Sequence, residues 1–287
     1  MTRVIPAPLL AHLQGSPAFA GECLILEARD GTRVGFTTLD EPFDLDLELG
    51  DGVESCAGGI EIGSLTLSVG LTASFAEVSG PLGPVLTREA VEGGRWAGAR
   101  AWLVRVSPGI AGYAPLLYGK VAEYRTEGPR FFLEIRNQAA LLQQVLGRVI
   151  SPYCSADLGD SRCTFSNTAV AATVTAVTDA MRFSLSFSGT YANDYFNYGT
   201  VEFTSGDLLG TLPVELFDWV SGGAGVGSLV LLEPLVEAPQ IGDTLNLKRG
   251  CPKTRDACRD LFSNVLNFRG EPEVPGSNQV LKAQIPE

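Results

Sequence analysis

Residues 43–49 read Phe-Asp-Leu-Asp-Leu-Glu-Leu, with apolar and acidic side chains in strict alternation. Side chains of a β-strand point alternately to its two faces, so this stretch predicts a strand with one buried and one solvated face. Asp51-Gly52 follows as a turn signal. The surrounding region, residues 22–54, holds ten acidic and two basic residues. The solvated faces of this part of the fold are therefore predicted to be strongly negative.

The strand pattern continues on both sides of this stretch. Arg29-Asp30-Gly31 predicts a hairpin turn between strands at 22–28 and 32–39. The glycine-rich stretch 221–227 matches neither a dinucleotide nor a phosphate-loop spacing, so it predicts a hairpin tip. Further strands are predicted at residues 65–78, 101–106, 116–125, 130–136, 173–178, 182–188, 199–203, 228–233 and 243–248. The predicted fold class is mainly β, built as several small β-barrel or sandwich domains with a few short helices.

Three short helices interrupt the strands. Thr87 predicts the N-cap of a turn that ends at Gly93-Gly94, and Asn137 the N-cap of a helix over 137–147. The apolar stripe of that second helix consists of Ala140, Leu141, Val145 and Leu146. A third helix is predicted over 255–266. The predicted domains are an N-terminal β-rich domain (1–150), a middle β domain that begins with the first cysteine pair (151–238) and a C-terminal segment with helix and tail (239–287).

The composition excludes several classes of protein. The chain has 287 residues, 45% of them hydrophobic and 19% charged, which excludes a disordered chain. No stretch approaches the roughly 20 apolar residues of a membrane-spanning helix. The net charge of −12 argues against a protein that grips nucleic-acid phosphates. His12 is the single histidine, which removes two-histidine metal motifs and most catalytic triads.

Four of the six cysteines form two pairs in loops rich in Gly, Pro and Asp. Cys154 and Cys163 are nine positions apart, and Cys251 and Cys258 are seven apart. Four thiolates from two loops suit a tetrahedral zinc ion or an iron–sulfur cluster. Zinc knuckles usually have shorter gaps, so this spacing favours the larger cluster over zinc, while two disulfides or free thiols stay open. The other two cysteines, Cys23 and Cys56, are predicted to be small buried hydrophobes.

The predicted third helix gives a second indication. Thr254 is a plausible N-cap, which places Cys258 near the first turn. Cys258 would share an inward face with Leu261, Phe262 and Val265. The positive end of a helix lowers the pKa of a thiol and favours an anionic cluster. Asp157 and Asp160, between the first two cysteines, are interpreted as loop-capping residues rather than catalytic carboxylates.

Several motifs resemble one family of tail proteins. They are Tyr153–Cys163 (Tyr-Cys-Ser-Ala-Asp-Leu-Gly-Asp-Ser-Arg-Cys), Gly250–Cys258 (Gly-Cys-Pro-Lys-Thr-Arg-Asp-Ala-Cys), Phe262-Ser-Asn264, Asn267-Phe-Arg-Gly-Glu-Pro272, Pro275-Gly276, Arg29-Asp-Gly31 leading into Gly35-Phe-Thr37, Gly94-Arg-Trp-Ala-Gly-Ala99 and Gly242-Asp243. Together they resemble the baseplate or tail-tip hub of long-tailed phages and gene transfer agents. The chain departs from the family pattern at Thr38-Leu39-Asp40, where relatives carry a histidine-containing stretch, and at Pro252, where they carry an acidic residue.

The resemblance implies a structural, non-enzymatic protein of the virion tail tip, assembled in the host cytoplasm. It implies a trimeric hub that closes the distal tube. The partners implied are the distal tail protein ring, the central fibre or spike or a larger tail-tip protein, and the end of the tape measure protein. DNA would pass through without specific binding, as a negative lumen repels phosphates. Similar hubs carry a [4Fe–4S] cluster, and motif position assigns its ligands to Cys154, Cys163, Cys251 and Cys258.

Two other functions compete with the hub. An iron–sulfur DNA-processing enzyme usually holds its four cysteines in one compact run, whereas here they are split over about a hundred residues. The chain also has no Gly-x-Ser-x-Gly nucleophile elbow and no basic helix for DNA. A secreted β-protein with disulfides Cys154–Cys163 and Cys251–Cys258 is the second alternative. Iron and sulfide analysis distinguishes it from the hub, and a DNA-cleavage assay tests the enzyme.

Overall fold

A computed structural model describes residues 5–15, 19–47, 52–68, 72–84, 86–143 and 147–274. Within these ranges the chain has fifteen strands, three short α-helices and two 3-10 turns, which confirms the mainly β class. It divides into two units, Met1–Val145 with Asp207–Leu212, and Leu146–Gly206 with Pro213–Glu287. The three-domain division predicted from the sequence stays a prediction. None of the described helices has the length and hydropathy needed to cross a membrane.

The first unit is an open, nine-stranded sheet with the strand order β3-β4-β2-β1-β7-β8-β9-β6-β5. All its pairings are antiparallel except that of β2 with β4, which is parallel. Its elements are α1 (Ala7–Gln14), β1 (Gly21–Glu27), β2 (Arg33–Thr37), β3 (Phe43–Asp46), β4 (Val53–Gly58), β5 (Glu61–Thr66), β6 (Phe75–Pro81), α2 (Arg88–Glu92), β7 (Arg100–Ser107), β8 (Ile110–Glu127) and β9 (Arg130–Asn137), followed by a 3-10 turn at Gln138–Gln143.

The central strands of this sheet bury both faces. One apolar layer contains Leu24 and Leu26 of β1 and packs around Trp96 and Phe131. A smaller layer on the other face contains Ile25 and, among others, both predicted buried cysteines, with no exposed surface on either. Because alternate residues of β1 enter the two layers, β1 is almost continuously apolar.

The predicted hairpin turn at 29–31 is confirmed. Gly31 adopts φ +84°, a left-handed conformation that favours glycine, and Asp30 accepts a hydrogen bond from the Thr32 amide at 2.9 Å. Arg95 adds an ion pair to Asp30 at 2.7 Å. The backbone bond from Thr32 and the Arg95 guanidinium outweigh partial burial and lower the pKa of Asp30. The turn is therefore fastened to the body of the unit by charge as well as by geometry.

The second unit contains a closed six-stranded barrel with the order β10-β11-β14-β13-β12-β15. Trp219 and Phe196 fill its interior as an edge-to-face pair. The predicted hairpin tip within 221–227 is confirmed between β13 and β14. The elements are β10 (Val170–Val177), β11 (Arg182–Phe187), β12 (Thr200–Phe203), β13 (Val214–Ser221), β14 (Val226–Leu231), β15 (Thr244–Lys248) and α3 (Arg255–Asp260), with a second 3-10 turn at Val265–Asn267.

Two helix predictions are corrected. The helix predicted over 137–147 is a 3-10 turn of six residues, and Leu141 of its expected apolar stripe is 56% exposed; residues 144–146 lie outside the described ranges. The helix predicted over 255–266 ends at Asp260. Ser263 follows with φ +49°, and this left-handed residue prevents the helix from continuing to 266. Leu261 is 54% exposed instead of facing inward.

The opening stretch is confirmed in part. β3 contains the alternating residues from Phe43 to Asp46, with Leu45 buried and Asp44 exposed. Residues 48 and 49 of this stretch and Asp51 of the predicted turn lie outside the described ranges. The predicted strand 65–78 is two strands, β5 and β6.

Candidate functional site

The four paired cysteines line one small cavity in the second unit. Cys163 and Cys258 are buried, and Cys154 and Cys251 are partly buried. The remaining lining residues are Ala156, Leu158, Thr254, Phe262, Asn264 and Asn267. The structure therefore brings together all four residues that the sequence nominates, although almost a hundred positions separate the two pairs.

The first cysteine loop is folded around the carboxylate of Asp160. Its Oδ1 accepts backbone hydrogen bonds from Cys163 at 2.6 Å and Arg162 at 2.9 Å, and its Oδ2 accepts one from Asp157 at 3.1 Å. These bonds, that from Cys163 above all, lower the pKa of Asp160 to about 2. The predicted loop-capping role of Asp160 is confirmed, and its carboxylate holds the backbone at Cys163 in place.

Lys253 connects the second cysteine loop to the first. Its φ of +63° turns the chain so that its amide donates to Cys251 Sγ at 3.4 Å. Its carbonyl accepts the Cys154 amide at 2.7 Å. Its ammonium group donates to the Ala156 carbonyl at 2.5 Å and to Asp157 Oδ1 at 2.7 Å. One residue thus holds both loops in register through backbone and side chain.

Helix α3 and the turn after it position the other two sulfurs. Thr254 caps α3 as predicted, accepting the Ala257 amide at 3.3 Å. Asn264 Nδ2 donates to the Cys163 carbonyl at 2.7 Å and lies 3.5 Å from Cys163 Sγ. The Cys258 thiol donates to the Asn264 carbonyl at 3.2 Å. Asn264 therefore touches one cysteine from each pair.

Three of the four sulfurs accept N–H hydrogen bonds. The donors are the Lys253 amide to Cys251, the Arg269 amide to Cys154 at 3.4 Å, and the Asn264 side chain to Cys163. Donors aimed at sulfur stabilise the thiolate, the form that ligates metals. This donor set suits a ligand role better than a packing role.

Burial opposes ionisation of the same thiols. Burial first, and the neighbouring cysteines in addition, raise the pKa of Cys251 and of Cys258. Four thiolates in one cavity repel each other, so they require a cationic partner to coexist. The expectation from the sequence that the Cys258 pKa is lowered is therefore wrong, because burial and then the neighbouring cysteines raise it.

The described residues do not form a site for a single metal ion. Within those ranges no group of three or more His, Cys, Asp or Glu side chains is arranged to hold one. Tetrahedral zinc needs its sulfurs about 2.3 Å from one centre. The cysteines share a cavity without that arrangement, so metal ligation by Cys154, Cys163, Cys251 and Cys258 stays a prediction.

Arg249 packs the cysteine loops onto the barrel. Its guanidinium lies between two rings, 4.5 Å from the centroid of Tyr195 and 4.4 Å from that of Phe262. Phe262 also packs edge-to-face on Phe165, with centroids 5.0 Å apart. Such cation–π contacts are each worth about 0.5–2 kcal/mol, depending on desolvation. No local sequence pattern identifies this arginine, which lies directly before the second cysteine motif.

Comparisons with known proteins match both halves of the chain. Residues 6–166 match a family described as baseplate hub protein, N-terminal attachment domain. Residues 194–278 match a family described as phage conserved hypothetical protein BR0599. Each matched region contains one cysteine pair. No curated protein matches significantly.

One solved structure resembles nearly the whole chain. It is a chain of the virion of a native gene transfer agent particle, with 28% sequence identity and a TM-score of 0.81. The likeness covers 96% of this chain and 95% of that one. The similarity therefore extends over both units.

Proposed function

The chain belongs to the baseplate hub family, whose attachment-domain model matches more than half of it, and we propose that it is a structural hub of a phage or gene transfer agent tail tip. The observation that carries this proposal is the likeness to a virion chain along nearly the whole length of both chains. A virion tail or baseplate location follows from it, and a structural role in that location argues against an enzyme.

We also propose where the hub lies in the tail. It forms a trimer that closes the distal tube, below the distal tail protein ring and above the central fibre or spike. The end of the tape measure protein reaches the same region. The net charge of −12 supports a wall along which DNA moves without adhering, because like charges repel.

A [4Fe–4S] cluster held by Cys154, Cys163, Cys251 and Cys258 is the second part of the proposal. Support comes from the four sulfurs that line one cavity and from the three N–H donors to them. When bound, the cluster supplies a covalent link between the two loops and a positive centre for the thiolates. The chain supplies the positioning: Asp160 holds the backbone at Cys163, Lys253 directs Cys251, and Asn264 directs Cys163 and Cys258.

This link is proposed to be structural. The sulfurs lie in a small cavity mostly walled by protein, and the two loops join chain segments about a hundred residues apart. Closing a loop of that length stabilises a fold by about 4–5 kcal/mol on the analogy of a disulfide. Ligation energy adds to this contribution.

The experiment for the hub itself is imaging of purified particles. Electron cryo-microscopy of tails from particles that carry a tagged copy of this chain should place the tag at the distal tip in three copies per particle. A single copy, a six-fold ring or a tag elsewhere in the particle would refute the trimeric hub. A DNA-cleavage assay on the metal-loaded protein tests the enzyme alternative, and we expect no cleavage.

A further inference from the structure

The described strand order of the first unit has a terminal strand at each end, β3 and β5. β3 stands at one end of the strand order, and β4 is the described strand that pairs with it. A terminal strand presents outward-facing N–H and C=O groups that another chain can pair with. The barrel of the second unit has no such end, because its six strands close on themselves.

A groove of about 920 Å³ runs between β3 and the first half of β8. Its floor carries Trp102 and Tyr118, whose rings lie 5.5 Å apart. Val53 is 63% exposed and Tyr118 45% exposed, so large apolar side chains meet solvent here. The rest of the lining comes from Pro6, from β3 and from parts of β7 and β8, and it is mostly apolar.

The charge of the groove is one-sided. Its described lining contains two carboxylates, Asp44 and Asp46, and no Lys, Arg or His. Glu22 of β1 is paired with Arg105 within the unit, at 2.7 Å. Asp44, in contrast, has no ion pair within the described part of the chain. A neutral or cationic occupant is therefore favoured over an acidic one.

We propose that this groove binds an extended segment of another tail protein, which pairs with the outer edge of β3 at Phe43–Leu45. The segment carries apolar side chains on alternate residues, which fit over Trp102 and Tyr118, and a Lys or Arg near Asp44. Strand addition suits this surface, because main-chain pairing at an edge gives affinity while pockets for alternate side chains give specificity. The proposal rests on the proposed hub function, which supplies the neighbouring tail protein.

Photo-cross-linking in assembled tails tests the occupant. The variant Tyr118→p-benzoylphenylalanine places the probe in the groove, and Phe132→p-benzoylphenylalanine is the control in the same unit outside it. We expect the first probe to attach to a segment of another tail protein with alternating apolar residues and at least one Lys or Arg. Attachment to a second copy of this chain, or to a helical segment of the partner, would overturn the proposal.

A charge reversal adds a matched comparison. Asp44→Lys should lower the yield of that cross-link about tenfold, equivalent to about 1.4 kcal/mol. Glu77→Lys, the same change on the exposed face of β6, should leave it unchanged. Equal yields in the two variants would contradict the charge argument and the proposed pairing beside Asp44.

Hydrogen exchange distinguishes a failure of the groove proposal from a failure of the proposed hub function. Amides in Phe43–Leu45 should exchange more slowly in tails than in the free chain, while the central strand segment Leu24–Leu26 stays protected in both. If tails contain the chain and its 43–45 amides exchange as in the free protein, the groove proposal alone is overturned. If tails lack the chain, the hub proposal fails as well.

Discussion

The two groups of cysteines in this chain are buried for different reasons. Cys23 and Cys56 lie fully buried in an apolar layer of the first unit, beside each other. Their mutual hydrogen bond, together with burial, raises the pKa of Cys56, so this thiol stays protonated. The four cysteines of the second unit line a cavity, and three of their sulfurs accept N–H bonds. Cys23 also accepts side-chain hydrogen bonds, from Cys56 and Thr37, so a donor at sulfur does not by itself separate the groups. The second group differs because four sulfurs line one cavity and three of them accept N–H bonds.

Removing one thiol from each group should give the largest difference between them, in metal content and in stability. Cys258→Ser should abolish metal binding and destabilise the second unit by about 4–5 kcal/mol, because the long loop is no longer closed. Cys23→Ala removes one buried sulfur and should cost about 1–2 kcal/mol with metal content unchanged. Iron analysis and thermal unfolding of both variants check this. Infectious tails of normal length with iron-free Cys258→Ser would show that the site is dispensable.

Asn264→Ala should have the next largest effect. It removes the donor to the Cys163 carbonyl and sulfur, and also the acceptor of a 2.7 Å bond from Asn267. We expect a loss of about 1–3 kcal/mol in the stability of the loaded protein, measured by denaturant titration, and a shifted visible spectrum. Asn193→Ala, which removes one exposed bond to the Ser221 amide, is the control. Identical spectra and stabilities for the two variants would remove Asn264 from the site.

Lys253→Met tests the connection between the loops. The change keeps the length of the side chain and removes the ammonium bonds to Ala156 and Asp157, for an expected loss of about 1–2 kcal/mol. The matched control is Lys248→Met, which breaks an exposed pair with Glu202 and should cost at most about 1 kcal/mol. The rate of metal release to a chelator should rise only in Lys253→Met. Equal release from both variants would contradict the role given to Lys253.

Thiol labelling should separate the two groups without any mutation. After chelation of the metal, Cys154 and Cys251 are partly exposed and should react first with an alkylating reagent, followed by Cys163 and Cys258. Cys23 and Cys56 should stay unlabelled until the first unit unfolds, because neither has exposed surface. Mass spectrometry of the labelled peptides gives the order. Early labelling of Cys23 would show that the first unit opens more readily than its packing indicates.

Two strands with alternating apolar and polar residues were predicted closely. β11 and β15 agree with their predicted ranges to within a residue or so. β13 was not predicted, although Val214–Ser221 is rich in apolar and aromatic residues. A bulge between Leu216 and Asp218 shifts the register of β13 against β14. The bulge interrupts the regular alternation of side chains, and Phe217 is exposed. Bulges of this kind depend on the strand that pairs with the bulged one. The residues of the bulged strand alone do not reveal them.

The sequence predicted the cysteines of the candidate site but not the residues that position their loops. The two cysteine motifs identified the sulfurs, and capping preferences identified Thr254 and Asp160. Lys253 and Asn264 act through contacts between segments about a hundred positions apart, and Lys253 does so in a left-handed conformation unusual for lysine. No local pattern encodes these contacts, because they exist only after both loops have folded onto the barrel.

The most direct measurement for the cysteine comparison is metal and sulfide analysis of the full chain purified without oxygen. The account predicts four iron and four acid-labile sulfide per chain, with the broad visible absorbance of an iron–sulfur cluster. Cys23→Ala should match this content, and Cys258→Ser should lack it. One zinc per chain without sulfide, or a metal-free protein with disulfides Cys154–Cys163 and Cys251–Cys258, would contradict the account.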